Sequence, residues 1–182
     1  SNSKEVPRTD AVVDALRTDV EGLVAVSPVQ SPQWQEFMAE DRRYRIRSAV
    51  AVSEAYVEVM DLELIAGSTF DAEDVAAGSR YAILTESTAT ALYGSPEEAL
   101  GKTLSVPAPS GLPARRVSPP SFEVRGVVAD PSELMRKAYG IGDLIVPFTA
   151  VLPAGMNVRI RTDFFYATLA VRVRGVDIET AE

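Results

Sequence analysis

Tyr81-Ala82-Ile83-Leu84-Thr85 runs straight into Glu86-Ser87-Thr88-Ala89-Thr90-Ala91-Leu92-Tyr93-Gly94, and this stretch decides the fold. Tyr81 to Leu84 is a short apolar run of strand length. From Glu86 the period changes: Ala89, Leu92 and Tyr93 fall on one side of a helix, and Gly94 closes it. Ser95-Pro96-Glu97-Glu98 then reads as a capping box, with Ser95 as cap, Pro96 in the first turn and Glu98 reaching back. A strand that becomes a helix without a loop, followed at once by a second capped turn, belongs to a chain of short alternating elements. The class this implies is α+β, with mixed sheets and short helices.

Working outward, the same pattern continues. On the C-terminal side Thr103–Val106 and Phe122–Ala129 read as strands. Between them Pro107, Pro109, Pro113, Pro119 and Pro120 remove ladder donors and predict an extended loop over 107–121. Asp130-Pro131 breaks the second strand, Ser132–Lys137 is a helical turn and Leu144–Phe148 another strand. Phe164–Arg174 alternates most cleanly, with Phe165, Leu169, Val171 and Val173 expected on a buried face. On the N-terminal side Leu62–Ala66 is a strand, and Gly67–Asp74 a turn leading into an acidic helix start. Arg43–Val52 reads as one strand with Tyr44, Ile46, Val50 and Val52 on one face and Arg43, Arg45 and Arg47 on the other. Ser53 is expected to cap a helix carrying Tyr56, Val57 and Met60. Before these come a helix over Thr9–Gly22, a strand over Leu23–Val26 stopped near Pro28, and a short helix or packed loop around Trp34, Phe37 and Met38.

Composition excludes several chemistries. The chain has 182 residues, no cysteine, no histidine and a formal net charge of −8. Cysteine–histidine zinc sites, Ser-His-Asp and Cys-His nucleophiles and the usual proton shuttle near neutral pH are therefore absent. So acidic a chain is repelled by a phosphate backbone, which argues against nucleic acid as a partner. No apolar run approaches the ~18 residues of a membrane-spanning helix. Ser1-Asn2-Ser3 reads as a cloning remnant ahead of an internal segment, and Asp177–Glu182 as the opening of a helix without its body.

Read in order, Tyr56–Met60, Leu62–Gly67, Phe70 with Asp71, Ala82–Ser87, Leu92-Tyr93-Gly94, Leu100–Leu104, Phe122–Asp130 and Val146-Pro147 form a series. That series resembles the MacB-like periplasmic core domain of FtsX-like ABC transporter permeases over roughly residues 50 to 150. Two departures are visible: the family's arginine after the glycine is Ser68 here, and the proline-rich loop enlarges the hairpin before Phe122–Asp130. The resemblance implies an extracytoplasmic domain inserted between two membrane helices of a permease, non-catalytic and without cofactor. It also implies partners: the protein's own membrane helices, a cytoplasmic ATPase, an envelope lipoprotein, peptide or adaptor, and a second copy in the full transporter. A separate extracytoplasmic binding or adhesin domain of similar fold is the alternative.

An inserted domain should be two-lobed. Residues 1–61 and 151–182 are expected in a membrane-proximal lobe, and 62–150, with the family motifs, in a distal one. No catalytic, cofactor-binding or metal residue is assigned. Between Ser53 and Gly101 there are ten acids and one base, Arg80. Within that stretch Asp71, Glu73 and Asp74 offer clustered oxygens of the kind a calcium ion takes, but they lack calcium-loop spacing and sit where acids favour a helix start. Arg42, Arg43, Arg45 and Arg47 suit either an acidic partner or lipid surface, or the charged solvent face of a strand protected from aggregation. Gly140-Ile141-Gly142 lacks the third glycine of a dinucleotide fingerprint and reads as a turn. Trp34 and Phe37 read as packing.

Overall fold

The computed structural model describes residues 15–16, 18, 22–32, 34–106, 120–151 and 168–173. Within them lie β1 (Leu23–Gln30), β2 (Glu36–Ala39), β3 (Arg42–Arg45), β4 (Ala49–Val52), helix α1 (Tyr56–Val59) and β5 (Leu64–Gly67). Then follow α2 (Ala72–Ala77), β6 (Tyr81–Thr85), α3 (Glu86–Tyr93), α4 (Pro96–Ala99) and β7 (Thr103–Ser105). The order closes with β8 (Ser121–Val128), α5 (Glu133–Tyr139), β9 (Leu144–Pro147), a 3-10 turn (Phe148–Val151) and β10 (Thr168–Val173).

The strands make one hydrogen-bonded path, β10-β1-β4-β9-β6-β8-β7-β2-β3, with β5 paired to β8. β4–β9 and β6–β8 are parallel, and the other pairs are antiparallel. The middle strands are those with uninterrupted apolar sequence. β4 (Ala-Val-Ala-Val) and β9 (Leu-Ile-Val-Pro) are buried at every position, as expected of strands covered on both faces. Alternation then sorts their side chains into two cores. Ala49, Ala51, Ala82, Leu84, Leu144 and Val146 face one side, against Leu92, Tyr93 and Ala99 of α3 and α4. Val50, Val52, Ile83 and Ile145 face the other, against Tyr56, Phe70, Val75 and Met135.

In β8 a bulge at Arg125 shifts the register between Ala82↔Val124 and Ile83↔Gly126. The extra residue puts Phe122, Val124 and Val127 into the same core and turns the Arg125 side chain outward over the Tyr81 ring, 4.5 Å from its centroid. β5 crosses here at very close range. A Cβ on Gly126 would sit 2.4 Å from the Ser68 carbonyl oxygen, and one on Gly67 would sit 2.2 Å from that of Arg125. Two glycines are what allow these backbones to meet.

Several elements differ from expectation. Trp34 is in a packed loop as expected, but Phe37 and Met38 are strand: β2 and β3 form a hairpin whose turn residues, Glu40 and Asp41, have φ of 46° and 61°. Both central residues in the left-handed region mark a two-residue hairpin turn, and Glu-Asp lacks the glycine that usually signals it. Phe37 is buried and Trp34 leans on Phe122 with ring centroids 5.7 Å apart. Arg43–Val52 is two strands, not one. The chain leaves the sheet at Ile46–Ser48 and re-enters it between β1 and β9, because β3 is amphipathic and suits an edge whereas β4 is wholly apolar and suits the interior.

β1 continues through Pro28 to Gln30. At Pro28 it pairs with β10 alone, its contact with β4 beginning at Val29, so the proline lies at a position where only one neighbouring strand is present. Ser53 does not cap α1, whose N-cap is Ala55. Its hydroxyl turns inward to Ser27 Oγ at 3.0 Å, because both serines are buried between β1 and β4. On β10, Val171 and Val173 are 42% and 50% exposed and Leu169 is only half-buried, while Ala170 packs on the core. The alternation was legible, but the covered face is the one carrying Ala170.

Ala15, Leu16 and Thr18 of the expected first helix are helical. Residues 107–119, Phe165 and Asp177–Glu182 lie outside the described residues. The sheet path joins segments expected in different lobes, since β2 pairs with β7 and β4 with β9.

Candidate functional site

The segment Ile46–Ser48, the start of α3, the β8–α5 connection and the start of β9 meet at one polar knot. α5 is capped by Ser132, whose hydroxyl accepts from Met135 N–H at 3.2 Å, and it ends at Gly140 with φ 63°. This orientation sends Arg136 back toward β9. Its guanidinium bonds Asp130 Oδ1 at 2.9 Å and Asp143 Oδ1 at shorter range, and its Nε donates to the Pro131 carbonyl at 3.3 Å. Asp130 also accepts from Ser87 N–H at 3.1 Å and Ser87 Oγ at 2.8 Å, holding the first turn of α3. Asp143 accepts from Arg47 N–H at 3.0 Å, and Asp143 N–H donates to the Ser48 carbonyl at 3.0 Å.

Both carboxylates are thus engaged on each oxygen, with Arg136 and Asp143 nearly buried. The knot acts as a clamp between sheet and helices and leaves no free base. Beside it a cleft of about 350 Å³ opens between Tyr44–Arg47 and the α3 residues Ser87, Thr88, Ala91 and Leu92. Nothing local in the sequence marks this arrangement. Asp130 reads as a strand end, and Arg136 and Asp143 carry no motif. Their partners lie up to 96 positions away.

The residues singled out in sequence fall in different places. Asp71 and Asp74 form a reciprocal cap on α2, Asp74 N–H to Asp71 Oδ1 at 2.9 Å and Asp71 N–H to Asp74 Oδ2 at 3.1 Å. Asp74 also binds Arg125 Nη1 at 2.7 Å, and Arg125 Nε donates to Ser68 Oγ at 3.2 Å. These oxygens are spent on a helix start and on the bulge of β8. Among the described residues no group of three acids converges as a metal site would require. Ser95 accepts from Glu98 N–H at 3.2 Å and starts α4. Gly140 and Gly142 lie in the turn between α5 and β9. Arg42, Arg43, Arg45 and Arg47 are all exposed, on and just beyond β3, the last strand of the sheet.

A second surface lies at the other end of the sheet. A groove of about 610 Å³ runs between α1, α5 and β10, lined by Met60, Met135, Tyr139, Leu169 and Val171 among others. Leu134 and Tyr139 on α5 are 77% and 59% exposed. Arg172 closes one side, bonding the Glu58 carbonyl and Asp61 Oδ1, each at 2.8 Å.

The family model of the MacB-like periplasmic core domain matches residues 2–182. Among solved structures, the periplasmic region of MacB from Actinobacillus actinomycetemcomitans superimposes with TM-score 0.64 at 20% identity, over 99% of this chain and 71% of that one. The extracellular domain of the noncanonic ABC-type transporter YknZ from Gram-positive bacteria gives TM-score 0.60 at 21% identity, over 91% of this chain and 72% of that one. At such identities the superpositions show a shared fold. No curated protein matches the sequence.

Proposed function

The chain belongs to the MacB-like periplasmic core domain family, and from that premise we propose that it is the extracytoplasmic module of an ABC transporter permease that couples cytoplasmic ATP hydrolysis to substrate export or to an envelope partner. It acts by binding and by shape. Its partners are the transporter's own membrane helices, a cytoplasmic ATPase, a second copy of the permease, and an envelope lipoprotein, peptide or adaptor. The observation that carries this reading is the antiparallel pairing of β1 with β10, in which Leu23 lies opposite Val173. The chain enters and leaves the described fold at the same end of one strand pair, as an insertion between two neighbouring membrane helices requires.

Within the grouping of 1–61 with 151–182 as a membrane-proximal lobe, that pairing supports placing β1 beside β10, whereas β2 and β3, also within 1–61, join the other end of the sheet through β7. The remaining segment, 62–150, would reach away from the membrane as the distal lobe. The saturated Asp130–Arg136–Asp143 clamp favours a rigid transmitting body over a catalytic centre.

The test uses the absence of cysteine from this chain, with any cysteine elsewhere in the permease replaced. In the full-length permease, the Ser79→Cys variant should react with a membrane-impermeant maleimide at the outer face of spheroplasts. Reaction only after the cytoplasmic membrane is permeabilised would overturn the location. For coupling, spin labels attached to the thiol of the same Ser79→Cys variant in two copies should change separation between nucleotide-free and vanadate-trapped transporter. An unchanged separation would leave the domain a passive attachment and sink the coupling.

A further inference from the structure

The Arg42–Arg47 edge faces away from the β1–β10 end, and seven strands separate β3 from β10. At ~4.8 Å per step the two edges lie roughly 35–40 Å apart along the sheet. β3 pairs with β2 on one side and, among the described residues, with no strand on the other. Among the described residues no strand covers its outer N–H and C=O groups, an edge onto which a further strand can add.

The charge on this edge is unbalanced in a molecule of net charge −8. Arg43 and Arg45 share one carboxylate, Glu36, at 3.2 and 3.7 Å. The side chains of Arg42 and Arg47 have no ion-pair partner among the described residues. Of the nearby acids, Glu40 pairs with Lys102 at 3.3 Å, Asp41 sits in the hairpin turn, and Asp143 is consumed by Arg136 and by Arg47 N–H. The cleft bordered by Arg45, Arg47 and Thr88 opens directly beside β3, with Ile46, Ala91 and Leu92 as its apolar part.

We propose that this edge and cleft dock an acidic, extended peptide segment of a partner protein. The segment adds to β3 as a further strand and places an acidic side chain between Arg45 and Arg47. An open strand edge offers backbone donors and acceptors in register, which a peptide uses and a lipid headgroup does not. The guanidinium forks favour carboxylates at alternate positions, since Arg43 and Arg45 project from the same face. This goes beyond the permease reading and does not depend on it, because it concerns a surface of the isolated chain.

The probe is a fluorescein-labelled decapeptide of alternating Glu and Val, followed by anisotropy at low and physiological salt. Saturable binding that weakens with salt is expected, with a loss of roughly tenfold or more in the Arg45→Glu/Arg47→Glu double variant. Ala91→Trp, which keeps the charge and fills the cleft, should also weaken binding, and an N-methylated peptide that cannot pair as a strand should not bind. Circular dichroism establishes that each variant is folded. Equal binding by the double variant, or unimpaired binding of the N-methylated peptide, would overturn the proposal. So would association with phosphatidylglycerol vesicles in place of the peptide.

Discussion

Replacing Gly126 with alanine tests the close approach of β5 to β8. The added Cβ would stand 2.4 Å from the Ser68 carbonyl oxygen, 3.2 Å from its carbonyl carbon and 3.3 Å from Leu64 Cδ1. Neither backbone can yield easily, because Ser68 N–H donates to the Arg125 carbonyl at 3.0 Å and Gly67 pairs with Gly126. Overpacking of this kind costs about 1–3 kcal/mol, and loss of a ladder hydrogen bond adds about 1 kcal/mol. The expected destabilisation is about 2–4 kcal/mol, which lowers Tm by roughly 5–15 °C in a domain of this size. Gly140→Ala is the control. Its φ is positive, at 63°, unlike that of Gly126, and nothing lies within 4 Å of the new Cβ, so only the conformational cost of about 1 kcal/mol applies. Urea melts of both variants give the comparison. If Gly126→Ala is no less stable than Gly140→Ala, the β5–β8 crossing is not the tight contact described.

Tyr56 is wholly buried and its hydroxyl has no hydrogen-bond partner among the described residues, so Tyr56→Phe should leave stability unchanged or raise it by up to about 1 kcal/mol; a clear loss in a thermal melt would reveal a bonded partner. Asp143→Ala should cost roughly 3 kcal/mol because it leaves Arg136 buried beside Asp130 alone, and a neutral urea melt would refute the clamp. Burial, followed by the charges of Glu40 and Tyr44, pushes the Tyr93 phenol from its ordinary value up to about 12. Because the folded value is raised, the contribution of the neutral phenol is intact below pH ~10 and is lost as pH rises toward about 12. Ultraviolet titration should show Tyr93 ionising late, and Tyr93→Phe should flatten the alkaline fall in stability while losing the bond to the Thr103 carbonyl; unchanged alkaline unfolding would refute it.

Elements governed by neighbouring residues could be read directly. The strand–helix passage over Tyr81–Gly94, the Ser95 cap, the acidic start of α2 and the helical turn from Ser132 each follow from contacts within a few positions. The family series Tyr56–Pro147 was legible for a related reason, since its order and spacing survive where individual residues change.

Placement in the sheet was not legible. Nothing in Arg43–Val52 says that its two halves belong at opposite regions of a single sheet, or that the Glu40-Asp41 pair adopts left-handed backbone without glycine. The alternation of β10 was plain in sequence, but which of its faces is covered depends on what packs against it, and that is Ala170's side. The Asp130–Arg136–Asp143 clamp and the Arg45–Arg47 cleft join residues separated by tens of positions. The sequence by itself thus determined the locally capped elements, the acidic, cysteine-free chemistry and the family, because these rest on capping, composition and the order and spacing of short motifs. Tertiary structure alone decided strand order, the cleft beside the arginine edge and the polar clamp, because distant side chains acquire partners only when the sheet brings them within hydrogen-bond range.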